Sequence, residues 1–384
     1  MARDPILVVV FLRGGADGLA LVSPTSDPDF IAARPEDLRV LRKGDGAGRV
    51  LAQDIADVDF RFHPAAAAFA DLYDAGDLSV IHAAGLPDAT RSHFDAEARI
   101  ERGIFGAEAS LNDASGWLGR WLHAAAPGGP MPALAVGAVR PASLIGADAA
   151  VAETLADLVL AQGHWLSDLL QRRLATGFGT HGALQRPIAD LIGLSDLVRD
   201  RFWSTEDQAL RTYAASVEYP EGNPLSGPLM TVAQTIKEDL GLRIATVDFP
   251  GWDTHVNQAA DFPAQVGALS QALMAFWRDL GPWQQDVSVV VMSEFGRRLV
   301  SNSSGGTDHG RGGAMFVLGP QARGGRMVGR WPGLANAALD EGADLAVVTD
   351  YRDVLSELLT GHMRAADLGP IFPGHAARPL GLWG

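Results

Sequence analysis

The sequence predicts an α/β fold in which a central, mostly parallel sheet is covered by helices on both faces. Three observations carry that prediction. The run at 287–292 is too dense in apolar, β-branched residues to be a half-exposed strand and reads as buried on both faces, the habit of parallel sheets under helices. The run at 6–12 reads as a central parallel strand, and 78–83, 242–249 and 314–318 as further strands. Helical apolar spacing at 65–74, 94–102, 262–280 and 350–359 supplies the crossovers that parallel strands need. Glycine-rich or polar loops follow several of the runs, and in such sheets ligands bind outside the carboxyl ends of strands.

The run at 6–12 reads as a central strand, and RGGADG at 13–18 as the turn that ends it. Its glycines permit close backbone approach to a ligand. Asp17 has two readings there, a metal ligand or the cap of a tight turn. Residues 30–56 read as a loop excursion. Pro64 opens an alanine-rich helix. The strand at 78–83 leads through a turn to Arg91, Ser92 and His93, at the start of the next helix. Ser92 either caps that helix, with Asp95 in the manner of a capping box, or offers its hydroxyl where helix N–H groups suit an anion. WLGRWLH at 117–123 has core-packing helical spacing. From 149 to 240 strand signal fades, and a mainly helical insertion or cap is expected within a single domain spanning 1–384. The last helix starts at a Thr349-Asp350 cap, and the Pro/Gly-rich tail from 372 onward is expected on the surface.

Composition narrows the function. The net charge is −15, which argues against nucleic acid as a partner, because that needs a basic footprint. The absence of cysteine removes disulfides, thiolate metal sites and cysteine nucleophiles. No stretch has the length of a membrane span. The first apolar run is short and lacks a small-residue cleavage site, so it is a poor signal peptide and a cytoplasmic location is the expectation.

Candidate functional groups stand just past the ends of four inferred strands: Asp17, Ser92, the Asp253/His255 pair and Glu294. Asp308 and His309 follow on a Gly/Ser/Asn-rich loop. In a parallel sheet these ends share one edge. Asp253 and His255 lie on the same side of an extended segment, ~7 Å apart at Cα, so both can grip one ion. Histidine and carboxylate donors without thiolate suit zinc, manganese or a similar divalent ion. The alternatives are a capping or packing role for His255 and an ion pair of Glu294 with Arg297 or Arg298.

The motifs RGGADG (13–18), RSHFDAE (91–97), GWLGRWL (116–122), GWDTH (251–255), SEFGRR (293–298), TDHGRGG (307–313) and GGRMVGRWPGL (324–334) together resemble the bacterial family catalogued as domain of unknown function 1501. That family is placed in the alkaline phosphatase-like/sulfatase superfamily. The resemblance implies a three-layer α/β/α domain with a metal site at the strand C-termini. It implies Asp17 as a ligand of a second metal, Ser92 as nucleophile, and Asp253, His255 and His309 as ligands of a first metal. Glu294 falls where alkaline phosphatases carry the carboxylate of an Asp-His pair. The next residue here is Phe295, not histidine, so the second site is short of an imidazole and would turn to Asp308 or stay empty. Family members often carry a twin-arginine export signal, so a processed periplasmic or exported form is the alternative location.

The function expected from this is a metal-dependent hydrolase of phosphate or sulfate esters, acting on a small-molecule or glycan anionic substrate. Ser92 would attack, with Arg91 and His93 beside it as catalytic residues and Arg13 and Arg297 binding the anion through forked donors. One or two divalent ions would sit on Asp17, Asp253, His255, Glu294, Asp308 and His309, zinc first, with manganese, magnesium or calcium as alternatives. Two rival expectations are a non-catalytic descendant that binds a ligand or protein, and a metal-dependent mutase or other transferase.

Overall fold

The computed structural model describes residues 3–44, 46–104, 106, 114–161, 164–178, 182, 184–204, 206–207, 209–320 and 323–383. Its frame is a nine-stranded sheet. In chain order the strands are β1 (Ile6–Arg13), β2 (Leu78–Gly85), β3 (Ala133–Val136), β4 (Ala150–Ala152), β5 (Ile244–Pro250), β6 (Val287–Ser293), β7 (Gly313–Leu318), β8 (Arg326–Val328) and β9 (Thr349–Asp350). They are arranged β8-β2-β7-β6-β1-β5-β3-β4, with β9 also on β2. Only β7 runs against the rest. The expected mostly parallel α/β sheet is what forms.

Burial explains why these runs became strands. Along β1, Ile6, Val8, Val10 and Leu12 enter one core while Leu7, Val9 and Phe11 enter the other. Each such side chain contributes roughly 1.5–3 kcal/mol when fully removed from water. Helices α1 (Ala67–Asp74), α2 (His93–Arg102), α3 (Trp117–Ala125), α4 (Gln185–Phe202), α5 (Ser226–Lys237), α6 (Gln258–Leu280) and α7 (Tyr351–Gly361) form the outer layers. Phe69 of α1, Val232 of α5 and Phe276 of α6 fill the first core, whereas Ile100 of α2, Trp121 of α3 and Leu355 of α7 fill the second. Among the described residues no helix is long and apolar enough to cross a membrane.

Two expectations need correcting. The 149–240 stretch does contain sheet: β4 pairs with β3 at the edge, and both are short strands of alanine, valine and leucine, with little β propensity in alanine to announce them. The tail is not superficial throughout. Phe372 and Leu382 are buried, and the Glu357 carboxylate accepts hydrogen bonds from the Leu380 and Leu382 N–H groups.

The topology places the functional edge. β1, β5 and β6 end in register, with Arg13 opposite Pro250 and Leu12 opposite Ser293. Because β7 is antiparallel, it starts at the edge where β6 stops, opposite the end of β2 at Ala84. The segment between β6 and β7 therefore never leaves that edge. It folds there into a hairpin of Arg297–Ser301 against Thr307–His309.

A buried histidine makes this fold acid-sensitive. His82, on β2, is buried, with Nε2 2.9 Å from the Val22 carbonyl and Nδ1 2.9 Å from the Ala83 N–H. The carbonyl only accepts and the N–H only donates, so the ring is neutral and a second proton would break the Ala83 bond. Burial pushes its pKa down from 6.5 to about 4, against smaller opposing contributions from its backbone bonds. A depressed histidine contributes stability that is complete above the unfolded value of 6.5 and lost as pH falls toward 4. The expected loss is about 3 kcal/mol. Urea midpoints at pH 7 and pH 4.5 check this: His82→Gln, which does not titrate, should lose less over that interval than wild type.

Candidate metal centre

Three donors meet at the edge. Past β5 the chain turns at Gly251, whose φ is +101°, and presents Asp253 and His255. The hairpin presents His309. His255 Nε2 lies 3.1 Å from Asp253 Oδ1, His309 Nε2 lies 3.0 Å from the same oxygen, and the two ring nitrogens are 2.8 Å apart. Donors of a single small cation are separated by such distances, given metal–ligand bonds of ~2.0–2.2 Å.

One arginine holds the three segments. Arg297, fully buried, donates from Nε to the Gly15 carbonyl (2.6 Å) and from Nη1 to Thr307 (2.7 Å). Its Nη2 faces the carbonyls of Gly14 and Trp252 and Asp253 Oδ1 (2.6 Å). The loops pack too closely for side chains at two points. Gly14 has φ +120°, and a Cβ there would sit 2.5 Å from the Asp253 nitrogen; one on Gly306 would sit 2.3 Å from the Thr254 carbonyl oxygen.

The imidazoles are oriented as ligands. His309 Nδ1 is 2.8 Å from the Arg91 carbonyl oxygen, and His255 Nδ1 is 3.1 Å from Asp308 Oδ1. Both partners only accept, so each Nδ1 carries the hydrogen and each Nε2, which is a lone pair in the neutral imidazole, is aimed at the other ring and at a carboxylate oxygen. Metal-ligating histidines are held by outer acceptors in this way. Burial lowers the pKa of His309, which keeps that lone pair available. Asp253 stays ionised: burial raises its pKa, but His309 and Arg297 outweigh this and hold it at about 2. The donor set fits a divalent cation.

The profile of one protein family, described as "Protein of unknown function (DUF1501)", matches residues 80–382. The chain belongs to that family. No curated protein matches it. Similar solved structures include the alkaline phosphatase of the Antarctic bacterium TAB5, at 12% identity over 83% of this chain and 93% of that one, with a TM-score of 0.35. Others are the phosphonate monoester hydrolase of Silicibacter pomeroyi (10%, 97% and 77%, TM-score 0.39) and the C-terminal periplasmic domain of EcEptC from Escherichia coli in complex with zinc (8%, 83% and 73%, TM-score 0.37). Likenesses this distant carry no argument about activity.

Within this DUF1501 chain several expected site residues do other work. Asp17 is not at the centre. It is fully buried, faces Arg34 at 2.7 and 3.2 Å, and accepts from Gln258 (2.7 Å) and the Ala20 N–H (3.0 Å). A guanidinium satisfies the carboxylate that a second metal would need. Arg13 is no free anion clamp, because Glu101 (2.5 Å), Asp248 (3.0 Å) and Glu97 (3.3 Å) surround it. Arg297 is equally committed, by the bonds above. The Arg91 guanidinium lies against Asp344 and Glu341, although its carbonyl orients His309.

Glu294 and Asp308 lie behind the histidines, outside the triad of Asp253, His255 and His309. Glu294, fully buried, is 2.7 Å from His93 Nδ1 and accepts from the Gly14 N–H. Burial raises its pKa, yet His93 and the backbone donors bring the net shift below the usual range. Asp308 accepts from Asn302 and holds His255. Phe295 stacks against His93 and His309, with centroids 4.9 and 4.8 Å away. Ser92 is exposed at the start of α2, and its hydroxyl makes no cap hydrogen bond, so the capping reading fails. Arg34 went unanticipated, since nothing in the loop at 30–56 marks it as the partner of Asp17.

Proposed function

We propose that this protein is a metal-dependent hydrolase of phosphate or sulfate esters, with Ser92 as nucleophile. The observation that carries the reading is the convergence of Asp253, His255 and His309 within 2.8–3.1 Å, with both rings turned by outer acceptors. A divalent cation held there would act as a Lewis acid toward an ester oxygen. The residues supply the rest. Ser92 offers an exposed hydroxyl free of capping duty, between Arg91, which fixes His309, and His93. The first turn of α2 presents N–H groups that favour an anionic ester. Arg297 keeps Asp253 ionised and in place, and Asp308 holds the His255 tautomer.

A panel of aryl phosphates and aryl sulfates, assayed with zinc, manganese or magnesium, tests this. Ser92→Ala is expected to lower turnover roughly 10³-fold or more while leaving cobalt(II) uptake intact. Turnover that survives the substitution removes Ser92 as nucleophile. A second reading, a binding protein that kept the fold, is favoured by Phe295, which follows Glu294 where the superfamily resemblance would place a histidine and packs its ring against His93. Stoichiometric metal uptake with no turnover across the panel would support it.

A further inference from the structure

We propose that His93 is a fourth ligand of the same ion, so that the centre is mononuclear and built from three histidines and one aspartate. The inference rests on the metal-binding part of the reading above and adds to it a ligand and a metal class.

His93 Nδ1 lies 2.7 Å from Glu294 Oε1. That carboxylate is fixed from behind: Oε1 accepts from the Gly14 N–H at 2.8 Å and Oε2 from the Ser293 hydroxyl at 2.9 Å. An ionised carboxylate only accepts, so Nδ1 carries the hydrogen, and in the neutral imidazole that binds metal Nε2 is the lone pair. Nε2 is buried and has no hydrogen-bond partner among the described residues. Asp253 Oδ2 lies 3.5 Å from it. A buried polar atom left without a partner costs free energy unless something supplies the missing contact. Ligand atoms of His93, Asp253 and His309 all lie within 4.8 Å of one another, so a cation beside Asp253 is within a small adjustment of Nε2. The His93 and His309 rings stand 4.3 Å apart at 75°, and Phe295 packs on both, which restrains either ring from turning away.

Asp253 and His309 thus belong to two overlapping triads, one completed by His255 and the other by His93. All three histidines show Nδ1 to an outer acceptor and Nε2 to the centre. Asp17, the carboxylate a second ion would need, is neutralised by Arg34. Three imidazoles and one carboxylate select a borderline first-row ion such as zinc or cobalt over magnesium or calcium, which take oxygen donors.

Cobalt(II) titration of the metal-stripped full chain, followed by visible absorption and metal analysis, tests the assignment without relying on turnover. Wild type should take up one equivalent and develop the intense bands of a nitrogen-rich, low-coordinate site. His93→Ala should weaken uptake by more than ~100-fold, beyond what loss of an outer partner costs, and Glu294→Gln by ~10–100-fold. Failure of wild type to bind cobalt defeats the metal reading itself. One equivalent in wild type, with affinity and spectrum unchanged in His93→Ala, overturns only the His93 assignment, and two equivalents overturn the mononuclear centre. If circular dichroism shows that His93→Ala does not fold, Glu294→Gln decides, since unaltered cobalt binding there removes the basis for an oriented His93.

Discussion

Arg297→Ala is expected to destabilise the protein by about 4 kcal/mol and to disperse the metal centre with it. The side chain is fully buried and serves five acceptors on three segments: the carbonyls of Gly14 and Gly15 after β1, that of Trp252 and the carboxylate of Asp253 after β5, and the carbonyl of Thr307 in the hairpin. Breaking a buried charge pair by deleting one partner typically costs 3–5 kcal/mol, and each carbonyl left unpaired adds to that unless water enters the space. The figure therefore assumes that some water does. Arg297→Lys keeps the charge but places three donors at one point, and one point cannot reach acceptors spread over three loops. It should fall between alanine and wild type. Urea midpoints of the three proteins, with cobalt binding on each, are the measurement. An alanine variant as stable as wild type and still able to bind cobalt would show that the loops are held by something else.

The fold could be read from the sequence where burial leaves a residue-type imprint. β1 and β6 are fully covered on both faces, so their runs are continuous and apolar. β3 is buried too and β4 lies half-buried at the sheet edge, but both are short stretches of alanine, valine and leucine that do not distinguish a strand from a helix. The site was half legible. Asp253, His255 and His309 could be placed because a strand end and a glycine-rich loop bring such residues to one edge. The roles of the neighbouring acids could not be assigned, because a glutamate that grips an ion and one that grips the histidine beside the ion look the same in sequence. Glu294 and Asp308 each lie against a histidine, His93 and His255. Of the two readings of Asp17 the cap is the one that forms, with the Ala20 N–H donating to its carboxylate; its other partner, Arg34, lies in a stretch with no periodicity to show that it turns inward. Arg297 looks in sequence like an anion clamp, and only the crowding of carbonyls around it reveals a brace.

The same division of roles leads to the second large effect. Asp253→Asn should abolish cobalt binding at micromolar concentration while changing stability far less than Arg297→Ala does. Asp253 Oδ1 is the one anionic donor that meets both His255 Nε2 and His309 Nε2. Asparagine keeps an oxygen that can accept from Arg297, so the brace survives, but the negative charge that offsets a divalent ion is gone. The loss should exceed the ~10–100-fold that outer partners carry, and Asp308→Asn, which alters only the acceptor behind His255, should stay within that range. Protons oppose the metal at the same atoms, because imidazole must be neutral to bind. Burial keeps the His309 pKa below its ordinary value, so that ring remains a ligand at more acidic pH than an exposed histidine would. Affinity in wild type should therefore decline as acid protonates the centre, first at His93, whose pKa the Glu294 carboxylate raises, and later at His309. In Asp253→Asn there should be little pH dependence left to measure. Tight cobalt binding by that variant would mean that the ion, if one is held at all, is not held by this aspartate.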